Sequence, residues 1–285
     1  MINYGLLPDK EDPRDFLFLQ APVKNKEMPN SIDLRNLQGP ITDQGHLGAC
    51  TGHALAGLRT YLERKSPSFI DGKAGKENIN ININTCPERS IWGNIKNYVN
   101  SLFVSRKVEQ YSPLFIYYEI RRKEGTLDRD SGGTIRTGMK ILNSVGACSE
   151  KIWPYKIRNF NIEPPRKAYR TARKNQVLSY YRITDENKIQ HMKIALSNKL
   201  GIVGGLMIHT NFYNVSSEGF IRDLNSKDSQ IGGHAILFCG FNDLLKCFII
   251  RNSWGTNWGK KGYAFISYDY VEKYSVDLWV ANEWE

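Results

Sequence analysis

Cleaving an amide with a thiol takes a base that keeps the sulfur ionised, a group that holds the base, and donors for the oxyanion that develops on the carbonyl. Cys50 offers a sulfur suited to that work. From this residue onward Thr51, Ala54, Leu55, Leu58 and Leu62 recur at helical spacing, so a helix over 49–64 is expected to begin at the cysteine and bury one face. The positive end of a helix dipole lowers a thiol pKa and supplies backbone N–H groups without helical partners. His53 lies one turn further on and would point toward packing, not over the thiol. His46, His191 and His209 read as surface or loop histidines, and Cys86, Cys148, Cys239 and Cys247 as small buried hydrophobes.

The segment Asp43-Gln44-Gly45-His46-Leu47-Gly48-Ala49-Cys50 resembles the nucleophile loop of the papain and cathepsin family of cysteine peptidases. Gly232-Gly233-His234-Ala235 resembles that family's histidine segment, and Ile250-Arg251-Asn252-Ser253-Trp254-Gly255-Thr256-Asn257-Trp258-Gly259 its asparagine segment. His234 and Asn252 lie 184 and 202 residues beyond Cys50 (234 − 50 and 252 − 50), against about 130–150 in the family. An insertion at 66–110 accounts for the excess. The resemblance implies that Cys50 attacks the scissile carbonyl, that His234 pairs with it and later protonates the leaving amine, and that Asn252 orients His234. It further implies that Gln44 and the Cys50 N–H form the oxyanion hole, and that Gly132-Gly133 lets a substrate backbone approach as an added strand. Trp254 resembles the indole that shields the His–Asn hydrogen bond, and it is placed with the two glycines on the substrate side.

Three departures set the chain apart within the resemblance. Leu47 stands where many relatives carry a disulfide-forming cysteine, Thr51 where they carry tryptophan, and Gly233 precedes the histidine in place of a carboxylate or amide. The pattern suits a disulfide-poor bacterial or viral branch. No adjacent His-His pair occurs, so the loop that makes cathepsin B an exopeptidase is not expected, and the reading is an endopeptidase. The same trio would also serve acyl transfer to an amine or hydrolysis of a non-peptide amide, and a silent binding module is the remaining alternative.

The elements that must position these residues follow from pattern. Helices are expected from Ser112 through Ile120, from Thr134 through Ile141 and over 187–198, and strands over 202–208, 235–240, 248–251 and 263–267. Helices early and strands late imply an α+β, papain-like two-lobed fold. Residues 29–155 are assigned to a helical lobe carrying the insertion at 66–110, and residues 156–285 to a β-rich, barrel-like lobe. Residues 1–28, where Pro8 and Pro13 bracket an acidic stretch, read as an extended arm, either a short pro-segment or a packed tail.

Composition narrows the class. Of 285 residues 41% are hydrophobic and 24% charged, which is ordinary for a globular protein, and no apolar run approaches the ~20 residues of a membrane span. The net charge of +10 is scattered, its densest run at 166–174 lacks a phosphate loop, and nucleic-acid binding is not expected. No C-x-x-C pair supports a metal site, no cofactor is called for, and the expected partners are protein or peptide substrates. The start of the chain lacks the basic end and apolar core of a secretory signal, so an intracellular, virion-associated or non-classically exported protein is expected. Oligomeric state is not legible.

Overall fold

The computed structural model describes residues 4–18, 28–65 and 110–282. The expected insertion lies outside the described residues except for Gln110, as does Cys86.

Helix α1 (Cys50–Lys65) starts at the nucleophile candidate. Sequence spacing predicted one buried face, but every residue from Cys50 to Leu62 is buried. The reason is its place in the middle of the molecule, with the sheet on one side and two helices on the other. Small residues such as Gly52, Ala54, Ala56 and Gly57 line the flanks that a surface helix would turn to water. Helix α2 (Pro113–Glu124) is punctuated by its ends: the Ser112 hydroxyl accepts from the Phe115 N–H, Pro113 fills the first turn, and Gly125 closes it in the left-handed conformation. Helix α3 (Ile135–Ser144) is capped by Thr134, directly after Gly132-Gly133.

Three further helices complete the helical set and connect it to the sheet. Helix α4 (Arg166–Ala172) is the densest basic run, and it buries Ala168 and Ala172 while its cationic side chains point outward. Helix α5 (Lys188–Ser197) and helix α6 (Tyr268–Tyr274) pack beside the strands. The strands are β1 (Ser31–Asp33), β2 (Ser179–Arg182), β3 (Ile202–His209), β4 (Gln230–Asn242), β5 (Cys247–Arg251), β6 (Tyr263–Ser267) and β7 (Ser275–Asn282). They form one antiparallel sheet in the order β2-β7-β3-β4-β5-β6, with β1 on the far end of β4. Among the described residues the sheet is open and does not close into the expected barrel. β1, β2, β7 and α6 were not expected from the sequence pattern.

Core residues Leu55, Leu58 and Tyr61 of α1 are wholly enclosed, as are Phe238 on β4 and Trp279 on β7, so one core joins helices and sheet. Among the described residues no helix is long and apolar enough to cross a membrane. Leu55→Ala should lower the free energy of unfolding by about 2–5 kcal/mol, because the enclosed site collapses only partly around the lost atoms. Urea denaturation of the intact chain checks this, and a change below ~1 kcal/mol would contradict a rigid helix–sheet core.

Candidate active site

Packing of α1 on the sheet brings the candidate residues together. Cys50 opens α1, and the backbone of Ala235 and Thr51 lies near its sulfur. Ala235 follows His234 on β4, where His234 faces Leu206 of β3. His234 Nε2 donates to Asn252 Oδ1 at 2.7 Å, and the Ser253 N–H donates to the same oxygen at 2.8 Å. With Nε2 carrying the proton, Nδ1 is left as a bare acceptor, and it makes no other hydrogen bond. Trp254 lies over this pair with its ring 4.9 Å from the imidazole, and Tyr213 and Trp258 flank the indole. The hydrogen bond is therefore kept in an aromatic, low-dielectric setting.

Gln44 is fully buried and tied on both sides. Its Nε2 donates to Leu47 O at 3.1 Å, its Oε1 accepts from the Ser253 hydroxyl at 2.8 Å, and its backbone carbonyl accepts from Tyr155. Ser253, which the sequence reading treated only as part of a motif, thus fixes the amide plane beside the nucleophile loop. His53 lies behind the site, where its Nδ1 is 2.9 Å from Thr42 Oγ1 and its ring 4.4 Å from that of Tyr155. Burial first, and then the nearby Arg251 charge, pull its pKa down to about 3, so it stays neutral. His209 was expected at the surface but is buried at the end of β3, 2.8 Å from the Tyr270 hydroxyl. His191 sits half-buried on α5 beside Phe18.

The N-terminal arm runs through this site. Leu6 N–H donates to Gly233 O, Leu7 N–H donates to Gly133 O, and Gly133 N–H donates to Gly5 O at 2.8 Å. Gly5 and Leu7 thus flank Gly133, and the arm is a strand parallel to that segment. The approach is close enough to require glycine on both sides: a Cβ on Gly5 would lie 1.7 Å from Gly48 O, and one on Gly132, whose φ is +75°, 2.1 Å from Gly5 O. The Gly5 backbone lies near the Cys50 sulfur, and the Tyr4 ring packs on His234 and Trp254. Leu6 is buried among Ile135, Gly205 and Val276. Cys50 and His234 are both 0% exposed. Burial pushes the thiol up, against the backbone donors, and draws the imidazole down to about 4, against its bond to Asn252. Both shifts favour the uncharged forms beneath the arm.

A cluster of charges outside the cleft holds the arm. Asp15 makes a two-pronged ion pair with Arg136 (2.9 and 2.7 Å) and reaches Arg182, while Asp9 accepts from the Arg136 amide and from Trp279 Nε1. The Asp9 N–H donates to Asp277, which also pairs with Arg182. Further on, Phe16 O and Phe18 N–H bond with Arg182 of β2, so the arm ends as an added edge strand.

The similarities to known proteins agree with this arrangement. The papain family cysteine protease model matches residues 128–280. A peptidase C1-like protein of Acanthamoeba polyphaga mimivirus is 32% identical over 310 residues, covering 99% of this chain and 87% of that protein. The chain belongs to the papain family of cysteine proteases. Xylellain, a cysteine protease from Xylella fastidiosa, superposes with a TM-score of 0.75 at 29% identity over 100% of this chain and 97% of its own. Bromelain from Ananas comosus shares the fold, with a TM-score of 0.60 at 19% identity over 89% and 99% of the two chains. Cys148, Cys239 and Cys247, like Cys50, are free and buried, in keeping with a papain-family chain that has Leu47 at a common disulfide position. Among the described residues nothing groups as a metal site.

Two aspartates that the papain-family resemblance did not touch give the arm a pH response. Burial raises Asp9 and Asp277 above the ordinary carboxylate value, and the charge of Asp9 raises Asp277 further, outweighing Arg136 and Arg182. A raised value in the docked state means that these two carboxylates take up protons on docking and favour it as the pH falls, while His234, drawn down beneath the arm, favours it as the pH rises. Asp277→Asn isolates the carboxylate share: in amide exchange at Leu6 and Leu7, corrected for intrinsic rates, the protection of the wild type relative to that variant should be higher at pH 5.5 than at 7.5. The reverse order in that ratio would overturn this assignment of the cluster.

Proposed function

We propose that the chain is a cysteine endopeptidase working through a Cys50 thiolate, and that residues 1–28 act as its pro-segment. The observation that carries the chemistry is the His234 Nε2–Asn252 Oδ1 bond, which leaves Nδ1 without a proton and able to accept one. Nδ1 takes the Cys50 proton, the sulfur attacks the scissile carbonyl, and the imidazolium returns the proton to the leaving amine. Water then hydrolyses the thioester by the same exchange in reverse. The oxyanion is received at the amino end of α1 by the Cys50 N–H, with the Gln44 amide beside it. Trp254 keeps water from the His234–Asn252 bond, and Gly132-Gly133 receives the substrate backbone.

The pro-segment reading is supported by the arm's course. It passes beside the sulfur at Gly5, fills an apolar subsite with Leu6, and takes the pairing groups of Gly133. While it is docked a substrate has neither an approach to the thiol nor a strand to pair with.

Three variants test the reading in the intact chain under reducing conditions, with fluorogenic peptide amides. Cys50→Ala should abolish turnover, and Asn252→Ala should cut it by at least about 10-fold as the imidazole loses its orientation. Leu6→Ala removes about 2 kcal/mol of burial from the docked arm and should raise the open fraction, and with it the initial rate, by about 30-fold. Turnover that survives in Cys50→Ala would sink Cys50 as the nucleophile, whereas equal rates for wild type and Leu6→Ala would sink the pro-segment alone.

A further inference from the structure

One carboxylate joins the two halves of the cleft wall. Asp130 accepts from the Gly48 N–H with both oxygens, at 3.1 and 3.0 Å, and from the Tyr117 hydroxyl at 2.5 Å. The Tyr117 oxygen in turn accepts from the Gly132 N–H at 3.0 Å. Gly48 stands two residues before Cys50, and Gly132 directly before the glycine that pairs with a docked strand. Tyr117 is fully buried on α2 beneath the nucleophile loop, packed with Leu47 and Ala49, and the Arg121 guanidinium lies 4.5 Å from its ring centre. Burial, together with the neighbouring Asp130, keeps the phenol protonated and able to donate.

We infer that Asp130 is a positioning residue for the peptidase reaction, a hydrogen-bonded clasp that sets the nucleophile loop against the substrate strand through Gly48 on one side and Tyr117–Gly132 on the other. The inference rests on the peptidase reading of Cys50 and adds to it a residue that none of the motifs contains. Hydrogen bonds to a charged acceptor are short and directional, so they can hold a register that neutral contacts would let slip. An error of about 1 Å between reacting groups can cost ~100-fold in rate, which is why a tie outside the chemistry can matter to it. Thr51 adds a second strut, its hydroxyl donating to Gly133 O at 3.0 Å. The clasp lies next to Leu47, where many relatives place a disulfide cysteine, and unlike a disulfide it is indifferent to reductant.

The test uses the full chain carrying Gly5→Val, which the 1.7 Å approach to Gly48 O forbids from docking its arm. In that parent, Cys50 is labelled with two reagents: iodoacetamide, which needs only the nucleophile loop, and a peptidyl epoxide, which also needs the Gly133 strand. Rates are taken per folded molecule. Asp130→Ala should slow epoxide labelling by at least about 10-fold, and Asp130→Asn, which keeps an acceptor for Gly48 and Tyr117, should recover most of that. Tyr117→Phe should slow the epoxide by several-fold while leaving iodoacetamide within about 2-fold of the parent. Labelling of Asp130→Ala at parental rates with both reagents would overturn the inference. Should that variant not fold, parental epoxide rates in both Asp130→Asn and Tyr117→Phe would overturn it instead. A parent that is labelled but hydrolyses no peptide amide would refute the peptidase reading, and the two labelling rates would still decide the role of Asp130.

Discussion

Cys50 sits at the amino end of α1 with its sulfur near the Ala235 backbone of β4, so its place is fixed by how a helix from one half of the chain packs on a sheet from the other. Everything that serves the site is arranged around that contact. β5 ends where Asn252 can reach His234, and the loop after it returns Ser253 to Gln44. The helix is buried all round because it must touch both the strands that carry the imidazole and the helices that carry the glycine wall. A surface helix could have presented the thiol, but it could not have held its amino end between two walls.

The arm changes the electrostatics of the site as well as its access. Enclosing a thiol and an imidazole removes the water that would stabilise their charged forms, and both groups move toward neutrality for that reason. The arm thus acts on the site partly through dielectric. Much of its hold comes from elsewhere, from two aspartates seated among Arg136, Arg182, Asp277 and Trp279. Three carboxylates share two guanidiniums there, an imbalance that a buried cluster tolerates only with a close set of hydrogen bonds or a shared proton.

How much could be read from the sequence depended on how local the governing interaction was. The nucleophile loop, the histidine strand and the asparagine turn were legible because each needs particular residues within a few positions of one another. The strands over 202–208 and 263–267 were legible from short apolar runs, and the structure extends the first only to His209. β7 was not, because Asp277 interrupts its apolar pattern, and a charge inside a buried strand makes sense only once Arg182 is beside it. The full burial of α1 was missed since alanine, glycine and threonine do not announce which side they face. His209 was misplaced for a similar reason: its partner Tyr270 lies 61 residues away. Asp130 gave no signal at all, being one acidic residue in a polar loop until Gly48 and Tyr117 converge on it.

The sheet has a further consequence in the order of events during synthesis. β7 is the last strand of the chain, yet it lies between β2 and β3, and it carries the Asp277 and Trp279 that seize Asp9, 268 and 270 residues away in sequence. A nascent chain therefore exposes its nucleophile loop long before either the sheet or the seat of the arm can exist. Both become complete with the arrival of one strand, so the site and the seat of the arm are finished in the same closing step. Contacts of such long range are the slowest to form, and the interval before they do is passed with the thiol not yet assembled into a working site.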